Sequence, residues 1–358
     1  MEAESVHRSS LAIAVLLCGG GGGALAQCVP ASAGLGLSCG TSLRPETGAY
    51  MGNRRITDLL FVYGLDDRMG DGSVPTASQG VSGAGRGFWM RTGGEGFRLK
   101  DDGIGFGVDS KQAVLQAGVD VWQWSLGSTG RLSVGALLSV GGGRTDGTAP
   151  GRLFTAQGRT DGGGFGFYAT WYQDDQTRLG WYADTWTQYA RFRNEVESPL
   201  IRQASYTSHN GMASVETGYA LRLSDNSSWV IQPQGQLIYA HNHAYNVTQS
   251  DGTQVDGAKR GGWTSRLGVR MYPGWIGDGD TRIKPYAAIN WLYDHLEDEL
   301  TYGSQLPSKD VFPTSRYELK AGADLRFAGG WAGWGDIGWQ AGSSYSAWTA
   351  RAGMKYSW

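Results

Sequence analysis

Cysteine, charge and long apolar runs are all scarce in this sequence. The chain has three cysteines in 358 residues and the last is Cys39, so disulfides cannot organise the chain beyond that point. Past residue 30 there is no run of about 18 uncharged apolar residues, which excludes a membrane-spanning helix there. Only 18% of the residues are charged, the net charge is −2 and no basic stripe stands out, which argues against nucleic acid as a partner.

Glycine and aromatic residues are abundant instead. The sequence contains 58 Gly, 15 Trp, 17 Tyr and 10 Phe, while its mean hydropathy is −0.34. A transmembrane β-barrel combines these properties, because each strand needs only about 9 to 11 residues with one apolar face, and aromatic side chains collect at the two membrane interfaces. The composition therefore favours a barrel over a helical membrane protein.

The first 27 residues have the form of an export signal. Residues 11–17 are a short apolar run, and residues 24–26 have the small-x-small pattern of a signal-peptidase site. We expect residues 1–27 to be a signal peptide and residues 28–43 to be a linker or the remnant of a passenger. The mature chain would keep two cysteines that could close a small loop in an oxidising periplasm, Cys28 and Cys39.

In the residues that follow this segment, apolar side chains recur with the spacing of a helix. Ile56, Leu59, Leu60 and Tyr63 recur at helical spacing, and charged residues occupy other positions. The pattern predicts one amphipathic helix over residues 46–69 with a Gly/Ser-rich linker after it, so that residues 44–85 form one region. The charged helix residues expected to face surrounding structure are Arg54, Arg55, Asp58 and Asp67.

From residue 86 to the C-terminus the period becomes two, which is typical of strands with two different faces. Apolar and polar residues alternate most clearly over 213–223, 263–271, 317–327 and 348–358. Weaker alternation covers 88–98, 112–124, 130–141, 163–173, 180–193, 228–240, 282–292 and 331–342. These segments predict about a dozen strands, an even number, joined by short connections such as 125–130 and long ones such as 141–161, 249–261 and 296–310.

The direction of the apolar face decides between a barrel and a soluble sandwich. Aromatic residues favour strand ends, as in the pairs Trp348 and Trp358 or Tyr317 and Phe327, which is the two-girdle arrangement of a lipid-facing wall. The opposite face is too rich in ions for a dry core, since each buried ion would cost several kcal/mol. The residues predicted to line a hydrated lumen are Asp184, Glu216, Arg266, Arg270, Glu318, Lys320, Asp324, Arg326, Asp336 and Arg351.

Several short patterns resemble catalytic or metal-binding motifs but lack the structural context that these motifs need. Residues 36–40 match G-x-S-x-G, but this motif needs a preceding strand and a following helix, and neither is predicted. His241 and His243 share one face of a strand without a third ligand, so we interpret them as surface residues. The acidic pairs lie in turns or at helix ends, where solvated carboxylates are common. The sequence therefore predicts no enzyme, no metal site and no cofactor.

At this point the chain resembles a known family, the C-terminal translocator domain of autotransporters of the adhesin and pertactin type. The resemblance runs from about Arg44 to Trp358, and the chain ends as members do, with an aromatic last residue and a tyrosine two places before it. The stretches that carry it are RPETGAY at 44–50, FWMR at 88–91, GFYATWY at 166–172, WYADTWTQY at 181–189, SVETGY at 214–219, QPQGQL at 232–237 and RLGVR at 266–270.

The resemblance implies an all-β fold, a twelve-stranded antiparallel transmembrane β-barrel over residues 86–358 with the amphipathic helix in its lumen. It implies Tyr356 and Trp358 as the signal read by the barrel-assembly machinery, with periplasmic chaperones and outer-membrane lipid as further partners and a monomeric barrel. Members that cut themselves use an Asn-Asn pair in the helix. Because this helix offers only Asn53 in that region, we expect no self-cleavage.

Two matters stay open at this stage. The family carries a long N-terminal passenger, so residues 28–43 belong either to a barrel with almost no passenger or to a truncated chain. The first hypothesis for the function is that of a translocator and anchor. The alternatives are a free-standing porin-like channel or surface adhesin, or else a secreted soluble β protein such as a lectin. The helix charges could pair with wall residues, for which Glu216, Asp184, Arg266 and Arg326 are candidates.

Overall fold

The computed structural model describes residues 29–30, 37–38, 44–71, 87–256, 260–277, 281–296, 299–303, 308–309 and 311–358. The chain divides into two units, residues 1–40 and 41–358. In the first unit, strand β1 (Val29–Pro30) pairs antiparallel with β2 (Leu37–Ser38). The predicted signal peptide and the cysteine pair Cys28 and Cys39 lie outside the described residues.

In the second unit, twelve strands close into an antiparallel barrel, which confirms the predicted fold class. The barrel closes where the last strand pairs with the first, from Tyr345 opposite Leu99 to Ser357 opposite Gly87. Its strands are β3 (Gly87–Leu99), β4 (Gly107–Leu126), β5 (Gly130–Thr148), β6 (Ala156–Tyr172), β7 (Gly180–Ser198), β8 (Ile201–Arg222), β9 (Val230–Ala244), β12 (Arg260–Tyr272), β13 (Arg282–Leu296), β16 (Ser315–Arg326), β17 (Trp331–Gly342) and β18 (Tyr345–Ser357).

Several strands are longer than the sequence predicts. The expected long connection 141–161 is wrong, because β5 continues to Thr148 and β6 begins at Ala156, which leaves residues 149–155 as the turn. The outward side chains of this extension include Arg144, Asp146 and Arg159, which are all exposed. Strands were predicted from alternating apolar residues, and this pattern ends at the edge of the membrane. It therefore misses the parts of strands that continue into water.

The two other long connections form a small sheet of their own. The connection after β9 contains β10 (Val247–Thr248) and β11 (Gln254–Asp256), and the connection after β13 contains β14 (Glu299–Tyr302) and β15 (Ser308–Lys309). They are ordered β10-β11-β14-β15, and β11 pairs antiparallel with β14. This loop sheet lies at the end of the barrel opposite to Gly87 and Ser357, where the barrel begins and ends.

The outward face of the barrel carries an apolar belt. Large apolar side chains such as Leu319, Ile337 and Trp348 are 50%, 61% and 63% exposed. Aromatic rings gather near the strand ends in two girdles, with neighbouring rings such as Tyr239 and Trp263 in contact at 4.8 Å between centroids. Soluble monomers rarely expose an apolar patch above a few hundred Å². This belt therefore faces lipid, and the interpretation as a soluble sandwich is wrong.

The two ends of the barrel differ as in outer-membrane barrels. At the end where Gly87 and Ser357 lie, the longest connection between barrel strands is residues 273–281, whereas at the other end the connections 245–259 and 297–314 carry the loop sheet. Short turns mark the periplasmic end and longer loops the extracellular end. Among the described residues, no helix has the length and apolar character needed to cross a membrane.

A lysine placed in the belt tests this orientation. Ile337 lies on β17 between the girdle residues Trp331 and Trp339, so Ile337→Lys should lower the free energy of unfolding by about 2 to 4 kcal/mol in lipid vesicles. Gln157→Lys, on an outward position of β6 beyond the belt, should change it by less than about 0.5 kcal/mol. Denaturant titration in vesicles measures both. An Ile337→Lys variant as stable as the parent would contradict the lipid-facing belt.

Candidate functional site: the helix-filled lumen

The lumen contains two helices where the sequence predicts one over 46–69. Helix α1 spans Pro45–Leu59 and α2 spans Leu65–Met69, with a non-helical segment at residues 60–64. Nearly all of the side chains from 45 to 70 are buried. The single-helix prediction is therefore wrong at the break, although the helical segment does occupy the lumen.

Wall side chains stabilise the break. A helix end leaves backbone carbonyls without partners, and buried carbonyls must be hydrogen-bonded. Gln188 Nε2 donates to the carbonyl of Phe61 at 3.0 Å, and the carbonyl of Tyr63 accepts from Trp186 Nε1 at 3.2 Å and from Gln236 Nε2 at 2.8 Å. The barrel thus supplies the partners that a continuous helix would have supplied itself.

The same segment is fixed by packing and by one glycine. The rings of Phe61 and Phe192 stack at 5.3 Å between centroids. At the start of α2, the amide of Leu65 donates to Glu216 Oε2 at 3.0 Å. A Cβ on Gly64 would lie 2.6 Å from Arg266 Nη2, so glycine lets this guanidinium lie directly against the backbone of the break. Because Arg266 in turn pairs with Glu216 at 3.0 Å, the break and the wall hold each other in place.

Helix α1 lies against a glycine-lined part of the wall. A Cβ on Gly147 would collide with the carbonyl oxygen of Pro45 and lie 2.6 Å from the amide nitrogen of Ala49. On the helix side, a Cβ on Gly48 would come within 2.8 Å of the carbonyl oxygen of Gly107. Backbone therefore approaches backbone here. The glycines set both the depth and the rotation of the helix in the lumen.

Polar contacts continue along the C-terminal half of α1. Asn53 Nδ2 donates to the carbonyl of Glu195 at 3.0 Å. Arg55 pairs with Asp294 at 3.1 Å, and Asp294 also accepts from Arg316 at 2.6 Å. Of the other predicted helix charges, Arg54 donates to the backbone carbonyl of Glu299 at 2.5 Å, and Asp58 accepts from Asn242 at 3.0 Å.

The N-terminal end of α1 meets the loop sheet at the extracellular rim. Arg44 bonds Asp251 at 2.8 Å and also contacts Glu46, whose carboxylate accepts from the Ser198 hydroxyl. Partial burial opposes ionisation of Asp251, but the hydrogen bonds from Arg44 and Thr253 hold its pKa below its usual value. The start of the helix is thus held between two connections of the barrel.

Helix α2 carries the densest set of ion pairs. Arg68 is fully buried, pairs with Asp184 at 2.6 Å and lies over the Tyr168 ring at 4.1 Å. Asp67 pairs with Lys320 at 2.7 Å and with Arg351 at 3.3 Å. Removing one member of a buried pair costs about 3 to 5 kcal/mol, because the other charge stays buried.

Two more carboxylates extend this set toward the periplasmic rim. Asp66 pairs with Arg270 at 2.9 Å, and Arg270 also pairs with Asp324 at 2.7 Å. Asp71 pairs with Lys284 at 2.8 Å and lies 3.6 Å from Arg326. Charged groups of helix and wall are therefore matched along the whole of α2.

All ten wall residues named from the sequence lie on the lumenal face, most of them buried, with Arg326 and Arg351 half-buried. Glu318 accepts from Asn290 at 2.8 Å, and Asp336 accepts from Arg351 at 2.9 Å. The sequence missed the helix charges Asp66, Arg68 and Asp71, the wall ions Lys284, Asp294 and Arg316, and the amides Gln188, Gln236, Asn210 and Asn242. The missed wall residues could have been found from one sequence signal: a polar residue recurs at every second position of the strands whose alternation is weak.

The remaining candidates on the barrel lie outside its lumen. His241 and His243 point outward from β9, and in the described part of the chain no three His, Cys, Asp or Glu residues are grouped as metal ligands. Tyr356 and Trp358 stack at 5.8 Å at the periplasmic end of β18, where Trp358 is 58% exposed. Of the G-x-S-x-G stretch, only Leu37 and Ser38 are among the described residues, and they form β2.

A bulky side chain in the glycine-lined wall should displace α1. Gly147→Val forces the wall into the Pro45–Ala49 backbone, whereas a Cβ on Gly211, an outward position of β8, meets no atom within 4 Å. Trypsin should therefore cleave at the otherwise buried Arg54 and Arg55 in Gly147→Val but not in the Gly211→Val control. Equal protection of both variants would show that the glycines do not seat the helix.

Comparison with known proteins agrees with this geometry. The sequence model of the autotransporter beta-domain family matches residues 88–338. The protein YuaQ of Escherichia coli K12 is 31% identical over 334 residues, which cover 88% of this chain and 24% of that protein. YdeU of the same strain is 30% identical over 328 residues, which cover 88% of this chain and 70% of that protein. The chain thus spans about a quarter of YuaQ.

Solved structures show the same fold. The crystal structure of the transport unit of the autotransporter AIDA-I from Escherichia coli matches with a TM-score of 0.75 and 23% identity, covering 88% of this chain and 100% of that one. The translocator domain of the autotransporter NalP from Neisseria meningitidis matches with a TM-score of 0.54. The chain belongs to the autotransporter beta-domain family and is an outer-membrane translocator barrel.

Proposed function

We propose that the barrel exports the polypeptide that precedes residue 44, and that the helices then remain in the lumen as anchor and seal. The direction of the helical segment carries this proposal. Arg44 contacts Asp251 at the extracellular rim, while Asp71 contacts Lys284 near the periplasmic rim, the end where β3 begins. A polypeptide that leaves α1 at its N-terminus therefore leaves it on the outside of the cell.

The contacts of the helices favour an anchor over an open pore. Ion pairs and hydrogen bonds join the helical segment to the wall from Arg44 to Asp71, and Arg68 and Asp184 are almost fully buried. A porin-like channel would need the centre of the lumen free. Filled lumens of this kind hold the helix by many simultaneous contacts, so the preceding chain stays attached to the membrane.

The chain itself catalyses no reaction in this proposal, and it needs no cofactor or nucleic acid. The Asn53 side chain donates to the carbonyls of Arg159 and Glu195, contacts that hold its amide in place. We propose that the helix stays uncut for this reason. Before insertion, periplasmic chaperones would carry the chain, and the barrel-assembly machinery would recognise Tyr356 and Trp358. The inserted barrel would act as a monomer.

An epitope placed between residues 43 and 44 tests the export direction and the absence of cleavage together. On intact cells the epitope should bind antibody, and on an immunoblot it should migrate with the full-length chain. The same epitope in the β4–β5 turn, residues 127–129, is the control and should bind antibody only after the outer membrane is opened.

Two results would contradict the proposal. Antibody binding at residue 44 only after permeabilisation would reverse the export direction. A short epitope-bearing fragment, separated from the barrel, would show that the helix is cut and does not anchor the preceding chain.

A further inference from the structure

Just beyond the extracellular edge of the apolar belt, the outward side chains of β4 and β5 change from apolar to positively charged. On β4 the last large apolar outward residue is Leu115, and the outward position two pairs further on is Lys111. On β5 the corresponding residues are Val140 and Arg144. These cations are exposed and lie on the extended parts of strands that stand out of the lipid.

The cations are aligned across neighbouring strands. Lys111 is directly opposite Arg144, and Arg144 is directly opposite Arg159 on β6. Residues directly opposite have Cβ atoms only about 4.5 to 5.5 Å apart, and like charges in this position repel each other. Three aligned cations therefore destabilise the sheet unless an anion lies over them.

Among the described residues, a carboxylate pairs with only one of the three cations. Arg159 Nε pairs with Asp161 at 2.6 Å on its own strand. Within the described part of the chain, Lys111 and Arg144 form no ion pair. The nearby carboxylates lie farther from the belt or are engaged: Asp109 pairs with Arg98 at 2.5 Å, Asp146 stands opposite Asp109, and Glu195 pairs with Arg193 at 3.1 Å.

We propose that Lys111 and Arg144 bind a phosphate group of the glycolipid that forms the outer leaflet of the outer membrane. Arginine forms two parallel hydrogen bonds to phosphate and lysine adds a compact positive charge, so a monoester phosphate between them relieves the repulsion. Lys111 and Arg144 lie just beyond the apolar belt, at the level where the phosphate of a lipid would lie if its acyl chains packed against the belt. We therefore assign the phosphate to a lipid and not to free phosphate.

The surroundings of Arg144 limit where the phosphate lies. Arg144 and Arg159 line an open depression of about 450 Å³ whose other wall carries Glu195 and Glu197. These carboxylates repel an anion from that side. The phosphate is therefore held between β4 and β5, over Lys111 and Arg144.

Lipid binding to the full-length protein in detergent tests the proposal. The probes are fluorescent lipid A with both phosphates, the same lipid A without phosphates, and phosphatidylglycerol as a phospholipid anion. The wild-type protein should bind phosphorylated lipid A at least tenfold more tightly than the other two. Each cation near an anionic lipid contributes roughly a fivefold change in affinity, so Lys111→Gln/Arg144→Gln should weaken binding by tenfold or more.

The matched control removes two cations from the other rim. Arg222 and Arg282 are exposed at the periplasmic ends of β8 and β13, and Arg222→Gln/Arg282→Gln should leave lipid A affinity unchanged. Equal binding of phosphorylated and dephosphorylated lipid A by the wild type would overturn the proposal, whether or not the variants fold. So would equal losses in both double variants, or tighter binding of phosphatidylglycerol.

Discussion

The fit between a broken helical segment and a polar wall is the constraint on which the molecule depends. A barrel of this size must have a hydrated or charged interior, and a helix inside it must find partners for every buried ion and free carbonyl. Gln188 and Gln236 supply them at the break, and Asp184, Lys320 and Arg270 supply them along α2. Sealing and anchoring are both consequences of this match.

The barrel could be predicted from the sequence because its outer face obeys one simple rule. Alternation with apolar residues such as Leu319 and Ile337 on one side survives in any single sequence and fixes which way the strand faces. The strand ends could not be predicted in this way. Beyond Val140 no outward residue of β5 is large and apolar, and only pairing with a neighbouring strand reveals that β5 continues to Thr148.

The sequence predicted which residues face the lumen but not which residues they pair with. Alternation placed Asp184 and Arg351 in the lumen, yet their partners Arg68 and Asp67 are more than a hundred residues away in sequence. The helix break was missed because the helical spacing of Ile56, Leu59, Leu60 and Tyr63 continues into it, while the donors that stabilise the break come from the wall. Gly64 was a local signal, since glycine disfavours a helix interior.

Current through single molecules in planar bilayers tests the central claim most directly. The full chain should pass only a small current, because the matched helices occupy the lumen, and deletion of residues 45–69 should raise it severalfold. Deletion keeps the twelve strands and their pairing, so the change reports the helices alone. A full chain that already conducts as well as the deleted one would show that the helices do not seal the barrel.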